Sequence, residues 1–347
     1  MSMLKKWSRV IVFPSLLLSA FSAVAEPLDD LSGGQTGRIE FQASNPPSRE
    51  ALIQDRLGPQ VTIWGDLLMP TKKVEGKVPA VIFSHGSEGV SRMYFDVYAK
   101  ALNDAGYAVF VVDSFKPRGE DKIAGSNKQF TWNTTLNISD ALYALKLLAK
   151  HPQIDKDRIF HMGWSRGASA VLAAAWPTYQ QNILPLDVKW AGSIAIYPGC
   201  NFRFGVDRHS SLPSPMLMLL AEKDDMTPAP PCVEYAQALA AKGHQVSYKV
   251  YPGAYHVFDW LNQPWRKYIG YPYRNCNLDV PQPYGPSDSM KWAPIFNRDT
   301  GTWIKTQEEH KAYLAVCAKP DYITTESNPK AREQAVKDVL AFLVNPK

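Results

Sequence analysis

Several spacings that would carry metal, redox or nucleotide chemistry are missing from this chain. There is no C-x-x-C, no H-E-x-x-H, no G-x-x-x-x-G-K-[ST] and no usable dinucleotide fingerprint. Zinc ribbons, thioredoxin-like centres, zincin peptidases and P-loop sites each depend on one of those patterns, so no metal ion and no organic cofactor is expected. Charge is also scarce. Charged residues make up 20% of the 347, and the formal net charge is only +5. Three of those positives, Lys5, Lys6 and Arg9, sit at the extreme N-terminus, and removing them leaves +2. Such an excess is too small to recommend nucleic acid or an anionic lipid surface as a partner. After the N-terminal stretch no run reaches the roughly eighteen apolar residues of a membrane span. The full chain is 45% hydrophobic and has the composition of a folded globular protein, long enough for one large α/β domain or two small ones.

The first 25 residues read as a secretory signal: a basic start, an apolar core over 10–21 interrupted by Pro14, and an A-x-A site at Ala23-Val24-Ala25. The mature chain is then expected to begin at Glu26, to be periplasmic or secreted, and to have no membrane anchor. Only four cysteines are present, Cys200, Cys232, Cys276 and Cys317, all in the exported part. An even number in an oxidising compartment points to disulfides. Three connectivities are open. The pairs Cys200–Cys232 and Cys276–Cys317 are favoured, the first because it joins the end of an expected strand to the start of an expected helix.

Along the chain, 26–51 reads as an extended polar lead-in. Apolar strand-like runs follow at 61–69, 78–84, 107–112, 158–162, 192–197, 216–221 and 246–250. Helical spacing appears at 94–105, 137–150, 168–175, 227–242 and 331–344, with Thr227 as cap and Pro228 as first residue of the fourth. Strands alternating with helices imply a mainly parallel sheet covered on both faces. The pattern breaks down over 260–330, a segment rich in Pro, Tyr, Trp and Asn. It is expected to be an irregular insertion packed over the single domain 26–347, with Trp260, Trp265, Tyr268, Tyr271 and Tyr273 mainly packing it onto the core.

The chemistry is expected at Gly163-Trp164-Ser165-Arg166-Gly167, a G-x-S-x-G set between a short strand and an alanine-rich helix. That setting makes a nucleophile elbow, with the serine hydroxyl at the tip of a tight bend beside helix-end N–H groups. A serine hydroxyl needs a base and a group to orient it, and in such sheets these lie beyond the carboxyl ends of strands. Of the histidines after Ser165, His209 precedes the acid candidates, His244 sits before a strand and His310 lies in the irregular segment. His256, in the loop after 246–250, is the expected base. Asp224, after 216–221, is the expected acid, ahead of its neighbours Asp225, a candidate for complementing the next helix, and Glu222. Oxyanion donors are expected from the backbone N–H groups of Arg166 and Ser87. His85 is expected to shape the turn before Ser87. Trp164 and Arg118 are candidate substrate-binding residues.

With these residues placed, the chain resembles the α/β-hydrolase superfamily and, within it, the dienelactone hydrolase family. The resemblance rests on 81–86, on 106–119 with its Asp113-Ser114-Phe115 and Arg118-Gly119, on 158–167, on Glu222-Lys223-Asp224-Asp225 and on 251–256. Enzymes of the family that open dienelactone itself carry a cysteine nucleophile, where this chain has Ser165. The resemblance therefore implies the fold and a Ser-His-Asp triad rather than that substrate. The expectation is an exported serine hydrolase that cleaves small-molecule carboxylic esters through an acyl-enzyme. A peptidase or amidase would use the same three residues, and a non-catalytic binding protein is the alternative outside enzymology.

Overall fold

A computed structural model describes residues 26–72, 74–205, 211–281 and 294–346. The expected signal at 1–25, and His209, lie outside these. The lead-in is more ordered than its polarity suggests. In β1 (Gly37–Ser44) Ile39, Phe41 and Ala43 alternate inward, a half-buried period of two, and Ser48 caps α1 (Arg49–Ile53) by accepting the Ala51 N–H at 3.2 Å. β2 (Gln60–Leu68) pairs antiparallel with β1.

β3 (Val78–Ser84) is buried on both faces, with Ala80 and Ile82 in one core cluster and Val81 and Phe83 in the other. The helix expected over 94–105 divides into a π-helical segment, Tyr94–Ala99, and α2 (Lys100–Asp104). β4 (Ala108–Asp113) splits its side chains as β3 does, and α3 (Lys128–Thr131) and α4 (Thr135–Leu148) follow. β5 (Ile154–Trp164) leads through Ser165 into α5 (Arg166–Ala174), then α6 (Pro177–Gln180), β6 (Gly192–Ile196) and the short β7 (Phe202–Phe204). β8 (Met216–Ala221), α7 (Ala229–Ala240) and β9 (Val246–Tyr251) complete the central sheet. α7 begins one residue later than expected, with Pro228 in the cap position, which releases Thr227 from capping.

The central sheet has eight strands in the order β1-β2-β4-β3-β5-β6-β8-β9. β1, β2 and β4 meet antiparallel, and every other neighbouring pair is parallel. Strands buried on both sides need cover on both sides. One core gathers α4, α5 and α7; the other gathers α2 and the closing helix.

The segment expected to be irregular carries short elements: β10 (Arg266–Gly270), β11 (Leu278–Val280), β12 (Ile295–Asn297), β13 (Thr302–Ile304), α8 (Gln307–Cys317) and β14 (Asp321–Thr325). β10 pairs with β14, and β7 is joined by β11, β12 and β13 in a second small sheet. The disulfides are Cys200–Cys232 and Cys276–Cys317, the second tying a position two residues before β11 to the end of α8. α9 (Pro329–Val344) closes the chain. Among the described residues no helix is long and apolar enough to cross a membrane.

Candidate active site

The bend after β5 is forced by contact. A Cβ on Gly163 would stand 2.5 Å from the Gly167 carbonyl oxygen, and one on Gly167 would stand 2.0 Å from the Ser84 carbonyl oxygen. Both distances are impossible, so the strand-to-helix crossing requires glycine at each position. Ser165 itself takes φ 51°, ψ −115°, a backbone conformation costly for a side chain with a Cβ. Its N–H is held by the Ile196 carbonyl at 2.9 Å and its carbonyl accepts the Ser169 N–H at 2.9 Å, so both ends of the strained residue are pinned.

Three residues far apart in sequence meet here. Ser165 Oγ lies 3.0 Å from His256 Nε2, and His256 Nδ1 lies 2.7 Å from Asp224 Oδ2. All three are nearly or fully buried, Ser165 the most open at 9%. Asp224 Oδ1 accepts the backbone N–H groups of Met226 and Thr227 at 2.9 and 2.8 Å, which leaves Oδ2 for the imidazole. Thr227 Oγ1 sits 2.9 Å from Asp224 Oδ2, 3.1 Å from His256 Nδ1 and 3.1 Å from the Tyr197 carbonyl oxygen. Thr227 was expected to cap α7; its hydroxyl serves the acid loop instead. The neighbouring acids are occupied elsewhere. Asp225 accepts from the Thr324 N–H and hydroxyl at 2.7 and 2.8 Å, so it holds β14 rather than complementing α7, and Glu222 accepts the Gly253 N–H at 2.7 Å.

The loop after β3 packs against the elbow: a Cβ on Gly86 would lie 3.5 Å from Ser165 Cβ. Gly86 donates its N–H to Tyr94 Oη at 3.0 Å, and the Ser87 carbonyl accepts from Ile123 and Ala124 at 2.9 and 3.0 Å. Arg166, as the first residue of α5, has an N–H with no intrahelical acceptor. Its side chain runs back to the same loop, donating from Nε to Ser87 Oγ at 3.2 Å and from Nη1 to Thr134 Oγ1 at 2.7 Å, with Nη2 on the Gln129 carbonyl. Burial pushes this guanidinium below its ordinary value. His85 uses both ring nitrogens on the backbone: Nδ1 donates to the Gly86 carbonyl at 2.8 Å and Nε2 accepts the Ser114 N–H at 3.0 Å, an arrangement for the neutral ring. Burial lowers its pKa in the same sense, and it shapes the turn.

Two cavities meet at Ser165. One, of about 540 Å³, is walled by Glu88, Lys122, Trp260, Arg266 and Tyr268 among others. The other, of about 330 Å³, is more aromatic, with Trp132, Tyr179, Phe202, Phe204, Tyr271 and Tyr273. Four of the five aromatics expected mainly to pack the segment onto the core therefore line cavity walls, while Trp265 is 55% exposed.

The two candidate substrate-binding residues have different settings. Arg118 forms a two-pronged pair with Asp140, both contacts at 2.8 Å, and also donates to Asn45 Oδ1 and the Ser114 carbonyl at 2.9 Å. It lines neither cavity, and its charge is spent on a carboxylate with no exposed surface. Trp164 borders the larger cavity but is 1% exposed; its ring packs edge-on against Phe83, Tyr94 and Tyr98, and its indole N–H donates to Asp259 Oδ2 at 2.8 Å. Two residues near the site escaped the sequence reading. Tyr197 stacks obliquely on His256, ring centroids 4.7 Å apart, and Asp259 lies three residues after His256. Their partners are distant in the chain, so no spacing announced them.

Comparison with known proteins gives one family: the dienelactone hydrolase family profile matches residues 65–273, more than half of the chain. Among solved structures, a Klebsiella pneumoniae subsp. pneumoniae protein assigned as a dienelactone hydrolase is 20% identical, over 64% of this chain and 88% of that one, with a TM-score of 0.45. Esterase 2 of the planctomycete Thermogutta terrifontis, bound to propionate, is 14% identical over 58% and 82%, with a TM-score of 0.46. The same esterase phosphorylated by paraoxon is 14% identical over 57% and 80%, with a TM-score of 0.45. No curated protein matches the chain. With the profile running from the end of β2 through β9 and covering the elbow and the loops of Asp224 and His256, the chain belongs to the dienelactone hydrolase family, within the α/β-hydrolase superfamily.

Proposed function

We propose that this protein is an exported serine hydrolase that cleaves small carboxylic esters through an acyl-enzyme. Family membership supports a hydrolase. The observation that carries the finer reading is the continuous contact from Ser165 Oγ to His256 Nε2 at 3.0 Å and from His256 Nδ1 to Asp224 Oδ2 at 2.7 Å. In this reading His256 takes the Ser165 proton as the oxygen attacks an ester carbonyl. Asp224 fixes the ring so that Nε2 faces the serine, and balances the imidazolium that forms. The N–H groups of Arg166 and Ser87 receive the oxyanion. His256 then protonates the departing alcohol, and water, activated by the same imidazole, releases the acid. The two cavities give room on either side of the scissile bond.

Export is part of the proposal. Two disulfides suit an oxidising compartment, and the chain released from its signal would start at Glu26. N-terminal sequencing of protein recovered from a periplasmic or culture fraction checks this, and a start at Met1 would refute it.

A fluorophosphonate probe tests the chemistry. The wild type should label and Ser165→Ala should not; absence of wild-type labelling would mean a binding protein on this fold. A series of aryl esters of graded acyl length, beside matched aryl amides, then reads the substrate. Amide turnover equal to or above ester turnover would replace the esterase by an amidase.

A further inference from the structure

We propose that Asp259 is a positioning residue of the active site, whose carboxylate fixes Trp164, Tyr197 and the His256 loop relative to one another. The inference rests on the reading of Ser165, His256 and Asp224 given above. Asp259 has no exposed surface. Its Oδ2 accepts from Tyr98 Oη at 2.9 Å and from Trp164 Nε1 at 2.8 Å, and its Oδ1 accepts from Tyr197 Oη at 2.7 Å. No salt bridge reaches it among the described residues.

A carboxylate buried among neutral donors is a poor stabilising device. Its desolvation consumes most of what three hydrogen bonds return, and apolar groups of like volume pack a core as well. What the carboxylate does supply is direction: two oxygens that draw three donors from three different elements to one point. Two of the donors lead to different parts of the site. Trp164 is bonded in sequence to Ser165. Tyr197 carries its ring 4.7 Å from the His256 ring, and its carbonyl oxygen lies 3.1 Å from the Thr227 hydroxyl that also touches Asp224. Asp259 itself lies in the Val257–Trp260 turn that directly follows His256, closed by the Trp260 N–H on the Val257 carbonyl at 3.0 Å. Tyr197 at φ 41° and Val257 at φ 59° are both held in the left-handed region, which a side chain with a Cβ enters only when its surroundings insist. The third donor, Tyr98, sits on the π-helical segment; its hydroxyl bonds Asp259 and its ring meets Trp164, and among the described residues it has no hydrogen bond to Ser165, His256 or Asp224. The network thus contains its own control.

The test compares Tyr197→Phe, Tyr98→Phe and Asp259→Asn with the wild type. Reactive serine is counted by fluorophosphonate titration, and kcat and KM for one aryl ester are expressed per titrated site alongside melting temperature. Tyr197→Phe should lower kcat about tenfold or more with KM within about threefold, because loss of alignment acts on the transition state. Asp259→Asn should do the same, since with the amide oxygen kept for the indole N–H and Tyr98 the NH2 faces Tyr197 Oη, and the hydroxyl can no longer donate there. Tyr98→Phe should lower the melting temperature with kcat within about twofold. Should Asp259→Asn not fold, the two tyrosine variants still decide. Wild-type kcat per site in Tyr197→Phe, or equal losses of kcat in Tyr197→Phe and Tyr98→Phe, would overturn the proposal and leave a structural carboxylate. A wild type that titrates no serine would remove the underlying reading, and this inference with it.

Discussion

Thr227 marks how finely the acid is held. Its hydroxyl has one proton to give and two acceptors within reach, Asp224 Oδ2 at 2.9 Å and the Tyr197 carbonyl at 3.1 Å. Thr227→Val keeps the shape and removes the hydroxyl. We expect kcat to fall about tenfold, the worth of one hydrogen bond to a charged group, with little change in melting temperature; steady-state kinetics and a thermal melt check both. Asp140 offers the contrasting case of a charge that works for the fold. Asp140→Ala leaves the Arg118 guanidinium, 8% exposed, without its carboxylate. A loss of about 3–5 kcal/mol should appear in urea unfolding, whereas Arg118→Met with Asp140→Leu together should recover much of it.

Elements differ in how plainly they announce themselves. β3, β4 and β8 are short apolar runs buried on both faces, and their bounds could be read almost to the residue because burial leaves no other interpretation. The three-residue strands β11, β12 and β13 could not, since they exist only by pairing with each other and with β7. α8 did carry a signal: Thr306 and Glu309 form a capping box, the T-x-x-E pattern that starts a helix, and the surrounding prolines and tyrosines obscured it. The Cys276–Cys317 bridge closes 41 residues of this region. Replacing both cysteines by alanine should cost on the order of 4 kcal/mol on the chain-entropy account. Because β14 is bonded to Asp225, ester turnover should fall as well, while Ser165 should still label. Calorimetry and probe labelling of the double variant measure the two effects.

At the scale of the whole molecule, buried histidines make stability depend on acidity. His161 has no exposed surface, lies 2.8 Å from Ser84 Oγ, stacks on Trp190, and burial takes its pKa from 6.5 down to about 3. His310 is lowered by burial to about 4. Above pH 6.5 neither ring is protonated in either state, so their contribution is flat. Below it the unfolded chain binds protons that the folded chain refuses, and stability should fall with pH, by up to about 1.4 kcal/mol per unit for His161, until its folded pKa is passed. Urea midpoints from pH 7 to pH 4 should show the decline, and His161→Gln should make it shallower. This coupling was invisible in sequence, where His161 is only one residue of a strand. That Ser165, Asp224 and His256 would meet was readable because their order and their places at strand ends follow from how parallel sheets are built. Asp259 and Tyr197 were not, because nothing local distinguishes a buried tyrosine that meets a carboxylate from one that meets a leucine.

The attachment of β14 has a practical corollary. Thr324 is bonded to Asp225, Thr325 forms a bridge with His256, and the Asn328 N–H is held by the Phe258 carbonyl. The aromatic wall and the loops that carry Asp224 and His256 thus share their fastenings. A chimaera that borrowed this wall from a relative to change what the enzyme accepts would inherit a misfit at both loops, unless the stretches around 224–227 and 256–259 travelled with it as one cassette.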